Sequence, residues 1–290
     1  MSRPPIQHEQ IVFRLNQVHD FIDTNLRSDL CLDRLAEEAR FSRYHFLRVF
    51  YLWNGETRYA YVRRRRLEVG ASQLLYSTDS VTTIANECGF DTADGFSRAF
   101  RHYFGATPLS WRHQAPRHAT QKKEPGNDGI CATWPVRIAH FPATRVAYTR
   151  HIGPYDETRT DHWRRTTQWM QQNGLRDAVR FGMGLDDPSF TPPAKCRYDV
   201  CVALPDSFVA PLRTSIKTIV DGKYAVLRFD GPARHSNQAW HFLLEYVVSI
   251  GKYKVAALPA FERYCADMPD PDNYRQNCEF CLPLELQTNL

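Results

Sequence analysis

The sequence predicts a two-domain protein: an all-α double helix-turn-helix domain, followed by an α+β domain with duplicated strand-helix-strand-strand units that form an antiparallel sheet. Helical spacing of apolar residues persists up to residue 113, a polar Pro- and Gly-containing segment follows, and β-type alternation begins after it. Each half also contains an internal repeat. The predicted boundaries are therefore 8–113 for the helical domain, 114–134 for the linker and 135–290 for the α+β domain.

Length and composition exclude several classes of protein. The 290 residues suffice for about two domains of ordinary size. With 43% hydrophobic and 24% charged residues, the chain is expected to be globular, and no run reaches the ~20 apolar residues of a membrane span. The start of the chain lacks the features of a signal peptide. Eight dispersed Cys then favour reduced thiols, and we expect a cytoplasmic protein without a membrane partner.

The positive charge lies in the first half of the chain. Residues 1–123 hold 18 Lys and Arg against 13 Asp and Glu, which accounts for the whole formal charge of +5. Every basic residue before Lys122 is Arg, whose planar guanidinium suits phosphate and guanine. The distribution indicates a polyanionic partner for this half.

The helical half contains two copies of a helix-turn-helix unit. The first copy is predicted as helices over 32–39 and 43–53, and the second as helices over 81–88 and 92–103. Leu35-Ala36 and Phe41 recur as Ile84-Ala85 and Phe90, and Phe46-x-Arg48-x-Phe50 recurs as Phe96-x-Arg98-x-Phe100. Ser42 is the expected N-cap of the second helix in the first copy, and Gly89 supplies a left-handed turn in the second copy. Two further helices are predicted by their apolar faces. The helix before the first copy has Ile11, Leu15, Val18, Ile22 and Leu26 on one face, and the helix between the copies has Leu67, Ala71, Leu74 and Leu75.

The second helix of each copy is predicted to read DNA bases. At 100° per residue, Tyr44 and Arg48 project opposite the apolar face, as do Asp94 and Arg98. An outward Arg suits the bidentate reading of guanine, and two such helices ~34 Å apart would enter successive major grooves of double-stranded DNA. The alternative is that Arg48 is an ordinary surface residue and that Arg98 is held by Asp94 one turn earlier. The candidate base-reading residues are Arg43, Tyr44, Leu47, Arg48, Ala93, Asp94, Ser97 and Arg98.

Residues 8–113 resemble the AraC/XylS family of DNA-binding domains. The resemblance is carried by Ile84-Ala85, Gly89-Phe90, Phe96-Ser-Arg-Ala-Phe100, Phe104-Gly105 and Pro108. It implies a DNA-binding transcription regulator, for which RNA polymerase is a further expected partner. Arg40 departs from the family at a turn that often holds Gly, so we expect left-handed strain there. The run Arg63–Arg66 is interpreted as partly structural and partly phosphate-facing.

The second half contains a duplicated α+β unit. Alternation predicts strands at 136–141, 145–152 and 223–229, and helices are predicted at 158–173 and 236–250, each followed by a capping glycine, Gly174 and Gly251. The segment 147–154 recurs at 225–232, and Asp199–Leu204 recurs at Glu279–Leu284. Each unit is predicted to be a strand, a helix and two strands, with the helices on one face of the sheet.

Residues 135–288 resemble the GyrI-like effector-binding domains. The resemblance is carried by Arg145–Tyr155 with Trp163, Asp199-Val-Cys-Val, Gly222-Lys-Tyr-Ala-Val, Gly231-Pro with Trp240, Phe261-Glu-Arg-Tyr264, and Glu279–Leu284. It implies a groove between the repeats that binds a small, cationic or aromatic molecule. Glu279 is the candidate counter-ion, and Asp199 is the second choice. The candidate aromatic walls are Tyr155, Trp163, Trp240, Phe261 and Tyr264, with an ordinary core as the alternative.

Other chemistry is weakly indicated. Cys278 and Cys281 would point to opposite faces of a strand, so zinc is not expected, and no catalytic or nucleotide-binding motif occurs. We therefore expect no catalytic residue, metal or cofactor. The sequence predicts a transcription regulator with a small-molecule sensor. The alternatives are that the second domain is a hydrolase for small electrophiles or a protein-docking module.

Overall fold

In the computed structural model, the described residues are 6–113, 134–155, 159–264 and 275–286. The chain divides into two compact units. The first comprises the chain up to His113 with the short segments Ser189–Thr191 and Val209–Ser215, and the second comprises the rest. The predicted linker lies almost entirely outside the described residues. Among the helices that are described, none is long and apolar enough to cross a membrane.

The first unit is helical, as predicted. Its helices are α1 (Ile6–Thr24), α2 (Leu32–Glu38), α3 (Arg43–Asn54), α4 (Arg58–Tyr76), α5 (Val81–Glu87), α6 (Ala93–Phe104) and α7 (Pro108–His113). The α2–α3 and α5–α6 pairs are the two predicted helix-turn-helix copies. Leu26, which was predicted on the face of the first helix, lies after the end of α1 but is still buried.

The long helix α4 joins two small hydrophobic cores. Its N-terminal part contributes Tyr61 and Val62 to the core under α3, together with Phe46 and Phe50. Its C-terminal part contributes Leu67, Ala71 and Leu74 to the core under α6. Each helix-turn-helix copy therefore has its own core, and α4 is shared between them.

The turns inside the two helix-turn-helix copies adopt the same left-handed backbone conformation with different residues. Arg40 has a φ of 51°, which confirms the strain expected there, and Gly89 at the equivalent turn has a φ of 77°. A Cβ added at Gly89 would lie 2.3 Å from the Leu26 carbonyl oxygen and 2.9 Å from the Arg66 guanidinium. Only glycine fits the second turn.

The second unit is an antiparallel sheet with two helices. The strands are β1 (Val136–Phe141), β2 (Thr144–Ile152), β3 (Arg180–Gly184), β4 (Arg197–Ala203), β5 (Ser215–Ile219), β6 (Gly222–Pro232), β7 (Tyr253–Val255), β8 (Phe261–Tyr264) and β9 (Arg275–Leu286). The helices are α8 (Arg159–Gln172) and α9 (Ser236–Ile250), and Gly174 and Gly251 adopt positive φ just after them, as predicted.

The strand order shows the duplication. Neighbouring strands follow the order β1-β6-β9-β8-β3-β4-β2-β5, and β7 pairs with β9. The repeated units are β2-α8-β3-β4 and β6-α9-β8-β9, and they meet where β3 pairs with β8. Strand β1, which precedes the first repeat (β2-α8-β3-β4), pairs with β6 of the second repeat (β6-α9-β8-β9). The prediction of one helix and three strands per repeat is confirmed, while β5 and β7 are additional short strands.

Strand residues alternate between two hydrophobic clusters on opposite faces of the sheet. The helix-side cluster comprises Trp163, Tyr198, Val200, Ala225, Leu227, Phe229, Ala239, Leu243, Val247, Tyr264, Cys278, Phe280, Leu282 and Leu284, with partly buried Tyr155 and Trp240 against it. The opposite cluster comprises Val146, Tyr148, Phe181, Met183, Cys201, Ile219, Tyr224, Val226, Phe261 and Cys281. Helices α8 and α9 contribute side chains to the first cluster, so they cover that face.

Candidate functional site

The rotation of α3 is fixed by its buried aromatic residues. The Ser42 hydroxyl accepts a hydrogen bond from the His45 backbone N–H, and Phe46 and Phe50 are fully buried. This arrangement exposes the opposite face, where Tyr44 and Arg48 project outward, as the sequence predicted. Arg48 forms no ion pair with any residue that the structure describes.

Two other candidates on α3 differ in their surroundings. Arg43 forms an exposed ion pair with Asp33 of α2, which ties its guanidinium to the neighbouring helix. Leu47 lies one turn from Tyr44 on the exposed face. The outward face of α3 therefore presents Tyr44, Leu47 and Arg48 together.

Helix α6 repeats this arrangement. The Thr92 hydroxyl accepts from the Gly95 N–H at 3.0 Å, and Phe96 and Phe100 are fully buried. Asp94 and Arg98 are exposed, whereas Ala93 and Ser97 are half-buried. Within the described part of the chain, Asp94 and Arg98 do not pair with each other, so the alternative that Asp94 holds Arg98 is not observed.

Most of the Arg63–Arg66 run has a structural role. Arg64 is buried and bonds Glu56 and Glu68 at 2.7 and 3.0 Å. Arg65 is buried against Asp23 and Glu68. These pairs connect α4 to α1 and to the turn before α4.

The other two members of the run face different surroundings. Arg66 donates to the backbone carbonyls of Leu26 and Ser28 at 2.9 Å each. Arg63 alone of the four is exposed. The expected phosphate-facing part of the run is therefore reduced to Arg63.

In the second unit, a buried carboxylate lies among aromatic residues on the helix-covered face. Glu262 on β8 accepts hydrogen bonds from the hydroxyls of Tyr198 and Tyr264 at 2.7 and 2.6 Å, both on Oε2. Burial and the adjacent Glu262 carboxylate raise the pKa of Tyr264, so its hydroxyl keeps the proton that it donates. The Trp163 ring packs edge-on against Tyr264 with the centroids 5.0 Å apart.

Strand β3 makes room for this group with glycine. A Cβ added at Gly182 would lie 1.8 Å from the Tyr198 hydroxyl oxygen and 2.8 Å from Glu262 Oε2. Tyr155 packs edge-on against Tyr198, and its hydroxyl donates to the Asp186 carbonyl oxygen at 2.7 Å. The absence of a side chain at Gly182 allows the Tyr198 phenol to lie across β3 and reach Glu262.

A stack of aromatic rings extends the same face. Trp240 of α9 stacks on Phe280 with centroids 4.5 Å apart, and Phe280 stacks on Phe229 at 5.0 Å. The structure thus places four of the candidate walls, Tyr155, Trp163, Trp240 and Tyr264, against one cluster. It places Phe261 in the opposite cluster.

Glu279 is not brought together with these aromatic residues. It lies on the other face of the sheet, where its carboxylate accepts from Arg137 and Arg263 at 2.8 and 2.9 Å. Partial burial alone would raise the pKa of Glu279, but the hydrogen bonds from the two arginines lower it below its ordinary value. Its charge is already compensated by these arginines.

Asp199, the second-choice carboxylate, is enclosed by cations. It is fully buried on β4, receives two hydrogen bonds of 2.7 Å from Arg150, and also pairs with Lys217. Burial would raise the pKa of Asp199, but Arg150 and Lys217 outweigh it and lower the pKa. Asp199 therefore has a structural role.

The sequence analysis missed Glu262 and Tyr198, although strand alternation contained the signal. Glu262 and Tyr264 are two residues apart, so they share a face of β8. Glu279 lies one residue from both Cys278 and Phe280, so it faces away from them. Cys278 and Cys281 likewise lie in clusters on opposite faces.

Comparison with known proteins agrees with both units. Residues 35–114 match a helix-turn-helix domain family, and residues 135–285 match the family described as GyrI-like small molecule binding domain. YosT of Bacillus subtilis (strain 168), a SPbeta prophage-derived protein named as a transcriptional regulator, is 29% identical over 152 residues, which are 52% of this chain and 99% of YosT.

Two further similarities concern about a third of the chain. The multiple antibiotic resistance protein MarA of Escherichia coli (strain K12) is 29% identical over 34% of this chain and 77% of MarA. A solved transcriptional regulator with an AraC-type DNA-binding domain, from Chromobacterium violaceum, is 26% identical over 36% of this chain and 93% of that chain, with a TM-score of 0.35. The chain therefore belongs to the AraC-type DNA-binding transcription regulators that carry a GyrI-like small-molecule-binding domain.

Proposed function

We propose that the second unit senses a small aromatic cation at Glu262, and that the bound cation changes the affinity of the first unit for its operator. The observation that carries the proposal is a buried carboxylate without a cationic partner among the described residues. The two tyrosine hydroxyls both donate to Oε2 of Glu262. Within the described chain, Oε1 receives no hydrogen bond and is the atom that we assign to the ligand.

The surroundings of Glu262 favour a cation over a neutral ligand. A carboxylate in a low-dielectric environment attracts a cation more strongly than one in water. The faces of neighbouring aromatic rings add cation–π attraction of ~0.5–2 kcal/mol. By contrast, Asp199 and Glu279 each already pair with two basic side chains. Glu262 is therefore our choice of counter-ion in place of Glu279.

The proposal also covers DNA reading, turnover, location and partners. Helices α3 and α6 read two successive major grooves through Arg48 and Arg98, and the ligand is bound without turnover. The regulator acts in the cytoplasm, and RNA polymerase contacts it at the promoter. The predicted boundaries 8–113, 114–134 and 135–290 define the reader, the linker and the sensor.

Calorimetric titration of the full chain tests the ligand site. The probes are tetraphenylphosphonium, which is a cation, and triphenylphosphine oxide, which is neutral and similarly aromatic. Glu262→Gln keeps an oxygen that accepts from the two tyrosines but removes the charge. We expect this substitution to weaken the binding of tetraphenylphosphonium by at least tenfold, about 1.4 kcal/mol, and to leave the affinity for the neutral probe unchanged.

Glu279→Gln is the matched control, because it removes a carboxylate from the opposite face of the same sheet. We expect it to leave the affinity of both probes unchanged. Equal weakening of both probes by Glu262→Gln would show a structural role for Glu262. Equal binding of the two probes to the wild type would overturn the preference for a cation.

A further inference from the structure

We propose that the first recognition helix selects its half-site through the C5-methyl groups of thymine, which Leu47 and Tyr44 contact. The inference rests on α3 lying in the major groove, as the helix-turn-helix fold implies. It assigns to Leu47 a role in base selection that an ordinary surface leucine does not have. Helix α6, whose matching residues are polar, is not expected to contact thymine methyl groups.

The outward face of α3 is unusually apolar. Tyr44, Leu47 and Tyr51 are 77%, 42% and 54% exposed, and their spacing places them on one stripe of the helix with Arg48. Phe46 and Phe50 fill the core on the other side, so the stripe is not needed for packing. Large apolar side chains grouped on an exposed face indicate a binding surface.

The internal repeat supplies a direct comparison. At an offset of 50 residues, Tyr44, Leu47, Arg48 and Tyr51 correspond to Asp94, Ser97, Arg98 and Arg101. The arginine is kept, whereas the other three positions change from apolar or aromatic on α3 to polar or charged on α6. The two helices share a scaffold and a buried face, so the difference between them lies in what their outward faces contact.

Base chemistry identifies the contact. In the major groove, the C5-methyl of thymine is the one methyl group at a base-pair edge, and most of the other groups there are hydrogen-bond donors and acceptors. Leucine cannot form hydrogen bonds, so placing Leu47 against a donor or acceptor would desolvate that group without compensation. Against a thymine methyl, the same side chain buries apolar surface. Arg48 beside it remains available to guanine.

Deoxyuridine substitution tests this inference, because deoxyuridine keeps every hydrogen-bonding group of thymine and lacks only the methyl. The operator is first selected from random duplexes with the full-length protein. The half-sites are then assigned by the base position whose preference relaxes in Arg48→Ala or in Arg98→Ala. Thymines in each half-site are replaced one at a time by deoxyuridine.

We expect an approximately fourfold loss of affinity at one or two thymines in the α3 half-site, the value for one buried methyl group. We expect no loss in the α6 half-site. Leu47→Ala should remove the discrimination between thymine and deoxyuridine at one of these positions, and Ser97→Ala at the matched position of α6 should leave it unchanged.

Two results would overturn the inference. One is an α3 half-site that binds equally with thymine and deoxyuridine throughout. The other is a Leu47→Ala variant with unaltered discrimination and unaltered operator selection, which would assign the apolar stripe to a protein partner. Sequence-specific DNA binding would stand in the first case, and ligand sensing at Glu262 is independent of both.

Discussion

Two repeat-equivalent carboxylates, Asp199 and Glu279, differ in burial and therefore in their expected contribution to stability. Asp199→Asn would remove the buried negative charge with which both Arg150 and Lys217 pair. We expect the free energy of unfolding to fall by about 3–5 kcal/mol, the cost of breaking a buried pair. Glu279→Gln should cost much less, because its arginine partners reach solvent. Urea denaturation of both variants measures the difference, and similar losses would contradict this account.

The lowered pKa of Asp199 also predicts a response to acid. Its pKa in the folded protein is lowered to about 2 by Arg150 and Lys217, against burial. A carboxyl group whose pKa is lowered by folding stabilises the folded protein at pH values above its pKa in the unfolded state, which is about 3.9. This stabilisation is lost as the pH falls through the pKa in the folded state. The free energy of unfolding of the wild type should therefore decrease more steeply in this acid range than that of Asp199→Asn. Parallel pH curves would contradict the assignment.

Gly182 is expected to determine the geometry of the ligand site. Gly182→Ala would place a methyl group on the Tyr198 hydroxyl and displace it from Glu262. We expect tetraphenylphosphonium affinity to fall by at least tenfold, about 1.4 kcal/mol. Gly184→Ala is the control, since its Cβ would lie 3.4 Å from the Tyr155 hydroxyl oxygen, an ordinary contact. Retained affinity in Gly182→Ala would show that Tyr198 does not position the carboxylate.

At the scale of single residues, the sequence predicted which kinds of residue form the site better than it predicted which of them lie close together. The resemblance to the GyrI-like domains implied a groove with aromatic walls and a carboxylate, and the structure places four of the candidate aromatic residues against one cluster. A choice between Glu262 and Glu279 requires knowing on which face of the sheet each side chain lies. Alternation along a strand gives this only when the face of at least one of its residues is already known. The arginines that neutralise Glu279 come from β1 and β8, and no local pattern indicates those pairings.

At the scale of elements, α4 carries neighbouring arginines in different surroundings. Arg63 is exposed, whereas Arg64 beside it is buried against Glu56 and Glu68. Arg63→Ala should weaken binding to all DNA sequences similarly and reduce the salt slope by about 1, as expected for one lost phosphate contact. Arg64→Ala should instead lower the free energy of unfolding by about 3–5 kcal/mol. Salt titrations of DNA binding and urea denaturation distinguish the two, and a normal salt slope in Arg63→Ala would place that residue away from the phosphates.

Helix and strand positions were well predicted because they depend on local signals. Ser42 and Gly89 mark the turns, and the predicted helices over 43–53 and 236–250 match α3 and α9 within about a residue. The role of the Arg63–Arg66 run was only partly predicted, since its acidic partners include Asp23, which is distant in sequence. Strand β7 was missed because three half-buried residues carry little alternation.

At the scale of the whole molecule, the reader is expected to fold without the sensor. All fully buried members of the two helical cores lie before residue 101. A fragment ending at Ala115 should therefore bind the selected operator with the affinity of the full chain and ignore tetraphenylphosphonium. Circular dichroism and a DNA-binding titration check this expectation. Aggregation of the fragment, with operator binding only in the full chain, would show that the cores are not independent.

The proposed sensing function requires that ligand binding in the second unit change the operator affinity of the first. The direct measurement is the operator affinity of the full chain with and without saturating tetraphenylphosphonium, for the wild type and Glu262→Gln. The cation should change wild-type affinity by at least about fivefold, the lower end of ordinary allosteric coupling. Glu262→Gln should keep the ligand-free affinity and lose most of the change at the same cation concentration. An identical operator affinity of the wild type with and without the cation, or an equal change in Glu262→Gln, would contradict the account.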